Sequence, residues 1–472
     1  MITFIVALLA LVVGYFIYGA FIERIFAPNA AAKTAAYTKQ DGVDYIPMSG
    51  WRIFMIQFLN IAGLGPIFGA IMGAKFGVAA YAWIVFGTIF AGATHDYLAG
   101  MISLRHAGES LPESIGRYLG NNTKQAVRLL TIVLLVCVGA VFVSGPAGLL
   151  TNLTPEMFDA TFWIIVIFAY YVIATLLPID KVIGQAYPLF AAALLFMAVG
   201  ILVMLFIHGW DLPEITDPQP AHPAGLSIFP MMFISIACGA ISGFHASQSP
   251  MMARCMTNEK QGRPIFYGAM VAEGIVALIW AAAAIHFYSE NGYSEGNSAV
   301  IVNFITRDWL GSVGAILAVL GVIFAPITSG DTALRSARLI VADILGMEQK
   351  SIKGRLMISV PIFLVTAGLI LFSLRDQAGF DIIWRYFAWI NQTLAAITLW
   401  MITIYLVKHG KNFVVTLIPA LFMTVVTSAY IVIAKEGLAL PYNYGVIVSA
   451  ICFTVGVAWF TVWLRAYRAK NS

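Results

Sequence analysis

Apolar runs of about twenty residues recur from one end of this chain to the other, and a run of that length is what an α-helix needs to cross a bilayer. In lipid a segment must satisfy its own backbone N–H and C=O groups, so only helices and closed barrels span. About thirteen such runs are read, near 2–22, 49–73, 77–104, 126–150, 158–177, 185–207, 226–253, 264–288, 312–341, 354–374, 381–407, 412–434 and 443–466. Charged residues are only 11% of the 472, against about a quarter in a soluble domain, and no gap between the runs would hold a soluble domain. The expected fold is an all-α polytopic membrane protein, one membrane domain over residues 1–472. The first run lacks a basic start and is longer than the apolar core of a signal peptide, so residues 1–22 are expected to remain as a first helix.

Loop charge sets an expected orientation. Arg24, Lys33 and Lys39 follow the first run, Arg105, Arg117, Lys124 and Arg128 the third, and Arg254, Lys260 and Arg263 the seventh. Lys350, Lys353 and Arg355 follow the ninth, Lys408 and Lys411 the eleventh, and Arg465, Arg468 and Lys470 end the chain. The alternate connections are poor in Lys and Arg: 151–157 has none, and 208–225 carries Asp211, Glu214 and Asp217. This places the N-terminus outside and the C-terminus in the cytoplasm. Because the basic residues fall in separate short loops, the net charge of +4 does not point to nucleic acid. Cys137, Cys238, Cys255 and Cys452 stand singly without metal-ligand spacing. The chain carries no HExxH motif, phosphate loop or nucleophile–base constellation, so neither enzymatic activity nor a cofactor is expected.

Two runs should not be continuous helices. The second contains Asn60-Ile61-Ala62-Gly63-Leu64-Gly65-Pro66; Gly costs about 1 kcal/mol and Pro about 3 kcal/mol in a helix interior. A break at membrane depth frees backbone groups, tolerated only against protein or a watery cavity, and transporters bind ions and substrates at such breaks. A packing kink is the alternative. The seventh run repeats the pattern in Cys238-Gly239-Ala240-Ile241-Ser242-Gly243-Phe244-His245, with Pro250 downstream. Five runs separate the two, and an odd offset reverses direction, as in an inverted repeat of runs 2–6 (49–207) and 7–11 (226–407). Residues 1–48 and 408–472 would then be accessory, the latter holding two helices. The expected substrate contacts are Gln57, Asn60, Gly63, Gly65, Ser242 and His245.

In the ninth run, Thr328, Asp331 and Arg335 share one helical face. Hydroxyls suit a hard cation such as Na⁺, although Thr328 and Ser329 could instead bond back to the preceding turn; Asp331 can pair with Arg335. Ionisable groups inside a membrane are costly and default to functional hypotheses. Glu273 is near the middle of the eighth run with no charged neighbour in sequence. His245 adjoins the second break, and histidine is the residue type used most often as a proton or substrate ligand. His95 and Asp96 lie about 100° apart on a helix, and only one of them is expected to face the site. Asp96 and Glu273 are the acids expected to meet an ammonium group or a coupling proton.

These residues resemble known families. Asn60-Ile61-Ala62-Gly63-Leu64-Gly65 is similar to the Asn-Ala-x-Gly-x-Gly pattern of the first core helix of sodium-coupled leucine-transporter-fold proteins, and Ala325-Pro326-Ile327-Thr328-Ser329 to the pattern of their eighth. The resemblance implies an inverted 5+5 repeat core. It also implies a sodium site made by the carbonyls of Leu59, Ala62 and Ala325 and the hydroxyls of Thr328 and Ser329. More of the chain resembles the carbon-starvation protein A family, through Gly65-Pro66-Ile67-Phe68-Gly69-Ala70, Ala93-Thr94-His95-Asp96-Tyr97 and Ala325-Pro326-Ile327-Thr328-Ser329-Gly330-Asp331-Thr332. Many members are longer; this chain is a short form. What that resemblance implies is a bacterial inner-membrane carrier importing short peptides with a cation gradient, Na⁺ or H⁺, or alternatively a pyruvate or other monocarboxylate symporter. A channel or nutrient sensor, in which the breaks line a pore or ligand pocket, is the reading from another class. Membrane lipid is the expected surrounding partner, and the oligomeric state is left open.

Overall fold

A computed structural model describes residues 1–471 other than 43, 177–178, 208–211, 220, 293–297, 348–350 and 376. Among the described residues every regular element is helical. In chain order the helices used below are α1 Ile2–Phe26, α2 Gly50–Ile61, α3 Gly65–Ala74, α4 Ala79–Phe86, α5 Ala93–Arg105, α6 Leu111–Leu119, α7 Asn121–Leu153, α8 Ala160–Leu176 and α9 Ile179–Ile207. They continue with α10 Gly243–Cys255, α11 Gly268–Asn291, α12 Ser298–Ala318, α13 Phe324–Leu345, α14 Ile352–Arg375, α15 Gln377–Lys408, α16 Val414–Ile433 and α17 Tyr442–Asn471.

Eight helices among the described residues are long and apolar enough to cross a membrane alone, and α2 with α3 makes a ninth span bent by 47°. The other four expected spans are built differently. Run 77–104 is α4, a π-helical turn at Gly87–Gly92, and α5. Run 158–177 is the 17-residue α8. Run 226–253 opens with a π-helical turn Ile228–Met232 and the short helix Phe233–Ser235, then breaks before α10. The ninth run is longer than expected. Gly311, with φ 60°, interrupts α12 in a conformation closed to other L-residues at low cost, and helix continues from there through a π turn at Val319–Ile323 into α13. The portion of α12 before Gly311 is a helix that apolar length did not predict.

Burial separates centre from periphery. The most apolar windows of the spans holding α11 and α15 are 83% and 78% buried, against 28% for α1 and 17% for α17. The outer helices turn large apolar side chains outward, among them Phe16, Ile17, Leu364 and Val462; in lipid this outward face is favourable. At the basic end of α1, Arg105 reaches the Glu259 carboxylate at 3.1 Å, the Ala27 carbonyl at 3.0 Å and the Tyr405 hydroxyl at 3.2 Å, tying α1 to α5 and α15.

Candidate functional site

The two interruptions meet. A methyl group placed on Gly65 would lie 2.4 Å from the Cys238 Cβ, and one on Gly239 would lie 3.7 Å from the Pro66 Cα. Helix is lost over residues 62–64 and 236–242. Pro66 sits in the first turn of α3, where its missing N–H costs no helical hydrogen bond.

The freed groups of the second break are satisfied by neighbours. Trp83 Nε1 donates to the Ile236 carbonyl at 3.2 Å and the Thr88 hydroxyl to the Gly239 carbonyl at 3.1 Å. Asn391 Oδ1, from α15, accepts the Phe244 N–H at 2.7 Å and the Ser242 hydroxyl at 3.1 Å, while its Nδ2 donates to Cys238 Sγ at 3.4 Å. Ser242, expected to contact substrate, therefore has its hydroxyl hydrogen committed to Asn391. At the first break, Gln57 and Asn60 are buried with no hydrogen-bond partner for either amide among the described residues. Buried amides without partners are uncommon in folded proteins and call for a ligand or water.

Beside the first break, the Ser329 hydroxyl lies 3.1 Å from the Leu59 carbonyl and 3.0 Å from that of Ala325. Having one hydrogen, it donates to one of them at a time. Thr328 Oγ1 donates to the Ala325 carbonyl at 2.8 Å, so bonding back to the preceding turn does occur here. The geometry thus gathers Leu59, Ala325, Thr328 and Ser329 next to Ala62, which ends α2. Further along α13, Arg335 lies 3.7 Å from Asp331 and donates to the Ala174 carbonyl at 2.9 Å.

The ionisable residues of three spans converge. His95 Nδ1 is 2.7 Å from Asp96 Oδ1, His245 Nδ1 is 2.7 Å from Asp96 Oδ2, and His245 Nε2 is 3.4 Å from Glu273 Oε2. All four side chains are fully buried. The expectation that only one of His95 and Asp96 faces the site is corrected: a 100° offset separates their Cβ atoms, but the imidazole reaches across it to the neighbouring carboxylate. Glu273, isolated in sequence, comes within 3.4 Å of His245, but neither His245 Nε2 nor a Glu273 oxygen makes a hydrogen bond among the described residues. The coordinating atoms engage one another rather than a common point, and no group of three or more His, Cys, Asp or Glu among the described residues is arranged to hold a metal ion.

Sequence reasoning missed Asn391, Trp83 and Thr88. The adjacent amides Asn391 and Gln392, both fully buried in an apolar helix, were the available signal for the first.

An all-helical bundle with two interrupted helices meeting in its interior is the leucine-transporter architecture, and the chain is a multi-pass membrane transporter. Its fold is similar to that of the Eremococcus coleocola manganese transporter, with a TM-score of 0.57 at 11% identity, covering 91% of this chain and 99% of that one. The chain belongs to the carbon starvation protein CstA family, which matches residues 1–156, 150–303 and 289–429. An uncharacterized membrane protein of Haemophilus influenzae is 44% identical over 363 residues, 65% of this chain and 98% of that protein. The peptide transporter CstA of Campylobacter jejuni is 26% identical over 546 residues, 88% of this chain and 77% of that protein.

Proposed function

We propose that this transporter imports short peptides across the bacterial inner membrane, driven by a gradient of Na⁺ or H⁺. The observation that carries the reading is the pair of buried amides, Gln57 and Asn60, left without partners in the last two turns of α2, on the approach to the first break. Support also comes from relatives named peptide transporters. A short peptide brings a carboxylate and an ammonium group. The half-helices α3 and α10 begin at the breaks and offer N-terminal dipole ends to the carboxylate. The half-helices that end there, α2 and Phe233–Ser235, offer C-terminal carbonyls to the cation. Were the driving ion Na⁺, its oxygen ligands would be the carbonyls of Leu59, Ala62 and Ala325 with the hydroxyls of Thr328 and Ser329. In this reading 49–207 and 226–407 are the inverted repeats, α1, α16 and α17 are accessory, and the basic loops and C-terminus face the cytoplasm.

The test is uptake of labelled dialanine by proteoliposomes. A carrier saturates and concentrates the dipeptide when a cation gradient is imposed; a channel only equilibrates it. Gln57→Ala and Asn60→Ala are expected to weaken dialanine binding about tenfold each, the worth of a hydrogen bond inside a dry site. Lys260→Ala, in a loop, should leave it unchanged. Unaltered affinity in both pocket variants would place the substrate elsewhere.

A further inference from the structure

Half-helix α2 is preceded by a short strap, residues 44–48, whose contacts lead to two other elements. The Tyr45 hydroxyl donates to the Ala107 carbonyl at 3.0 Å, in the turn that follows α5. The Arg254 guanidinium, from the last turn of α10, lies 5.4 Å over the Tyr45 ring and donates through Nε to the Gly108 carbonyl at 3.1 Å. One residue on, the Cys255 carbonyl accepts the Met48 N–H at 3.1 Å, and the Cys255 thiol donates to the Asp44 carbonyl at 3.9 Å. Asp41 shapes the strap by accepting the N–H groups of Asp44 and Tyr45 at 2.9 Å each. The receiving turn is fitted to Arg254: Gly108 is left-handed, with φ 76°, and a methyl group on it would lie 2.3 Å from Arg254 Cγ.

The strap joins an element able to pivot to elements that are anchored. α2 runs into α3 through the non-helical residues 62–64, and no side chain caps its start. A half-helix that ends at a break turns as a unit, because no helical hydrogen bond crosses the break to be lost. The turn after α5, by contrast, follows Arg105, which binds the Ala27 carbonyl, the Glu259 carboxylate and the Tyr405 hydroxyl. Glu259, four residues beyond Cys255, also accepts the Asn29 N–H at 2.7 Å. The ends of α1, α5 and α15 and the connection after α10 are thus tied into one frame, and the strap clasps α2 to it. With the strap seated, Cys255 is only 6% exposed. Swinging α2 away from α10 has to break the Tyr45–Ala107, Tyr45–Arg254 and Met48–Cys255 contacts together, and it uncovers the Cys255 thiol.

We propose that Tyr45 and Arg254 are positioning residues that latch α2 to α10 and to the turn after α5, and that this latch opens when substrate is released to the cytoplasm. The inference rests on the carrier reading above and names the residues that control its inner side. In the test, the full-length protein in everted and right-side-out membrane vesicles is treated with a membrane-impermeant maleimide, and modification of Cys255 is followed by peptide mass mapping. Modification is expected in everted vesicles only. It should be about fivefold faster in Tyr45→Phe, which loses one hydrogen bond, and about twentyfold faster in Tyr45→Ala, which also loses the ring beneath Arg254. Exchange of labelled dialanine supplies the second readout. A carrier biased toward its inner-open form presents fewer outward-facing sites, so Tyr45→Ala should raise the apparent KM for external dialanine several-fold at an unchanged maximal rate, with Tyr45→Phe between it and the wild type. A merely structural contact would lower the maximal rate and leave KM alone, and that result would overturn the latch. So would equal modification of Cys255 in all three proteins, or modification in right-side-out vesicles. Should Tyr45→Ala not assemble, Tyr45→Phe decides. Faster modification in the variants, with no dialanine exchange even by the wild type, would overturn the peptide reading while supporting the latch.

Discussion

Gly92→Ala is expected to abolish transport and to lower the thermal stability of the purified protein. Gly92 closes the π-helical turn between α4 and α5, and a methyl group there would lie 2.2 Å from the Ala240 carbonyl oxygen and 3.1 Å from the Met270 methyl. The obstacle is backbone, so no rotamer change relieves it. Nor can the break retreat easily, because the Ile236 and Gly239 carbonyls beside it are held by Trp83 and Thr88. Overpacking of this kind costs about 1–3 kcal/mol, and here the strain falls on the second break itself. Gly148→Ala is the control: a methyl group on Gly148 meets no heavy atom of another residue within 4 Å, and removing a glycine from a helix interior is neutral or stabilising. Thermal unfolding and dialanine exchange read both variants. If Gly92→Ala melts and exchanges like the wild type, α5 does not buttress the break.

How much of this arrangement the sequence discloses follows from the range of each interaction. Apolar length and the Gly/Pro clusters at 63–66 and 239–243 are local properties, and they located the spans and both breaks. Where a span mixes short helix, π turn and polar residues, as in 77–104 and 226–253, apolar length marks the run but not its internal construction. The titratable residues were each visible as anomalies in apolar runs; their convergence was not. Asp96 and His245 are 149 residues apart, and nothing local to either says that they share a hydrogen bond. A helical wheel failed for His95 because it places Cβ atoms, whereas an imidazole spans the gap to its sequence neighbour. Ser242 was singled out as a substrate contact because it is polar and beside a glycine, yet its partner comes from α15, which the pattern around Ser242 does not mention. Amides raise less suspicion than charges in an apolar helix, and Asn391 passed unnoticed for that reason.

Asn391→Ala is expected to be among the most damaging single changes in the transport core, because one side chain completes three groups of the second break. Its Oδ1 accepts the Phe244 N–H and the Ser242 hydroxyl, and its Nδ2 donates to Cys238 Sγ. The Phe244 N–H is one of the donors that a helix start leaves without an internal partner, and Ser242 caps α10 without a side-chain hydrogen bond to it; Asn391 supplies that cap from another helix. Alanine leaves the buried amide and hydroxyl unsatisfied, at about 1–3 kcal/mol for each group. Asn391→Asp keeps an acceptor at the positive end of α10 and should recover part of the loss. Ser242→Ala removes one donor and leaves the Phe244 bond intact, so its cost should be about 1 kcal/mol, with dialanine affinity close to the wild-type value. The order expected in thermal unfolding is wild type, Ser242→Ala, Asn391→Asp, Asn391→Ala, with transport failing at the end of that series. Equal stability of Asn391→Ala and the wild type would mean that the break holds its shape without α15. A large affinity loss in Ser242→Ala at unchanged stability would return Ser242 to the substrate pocket.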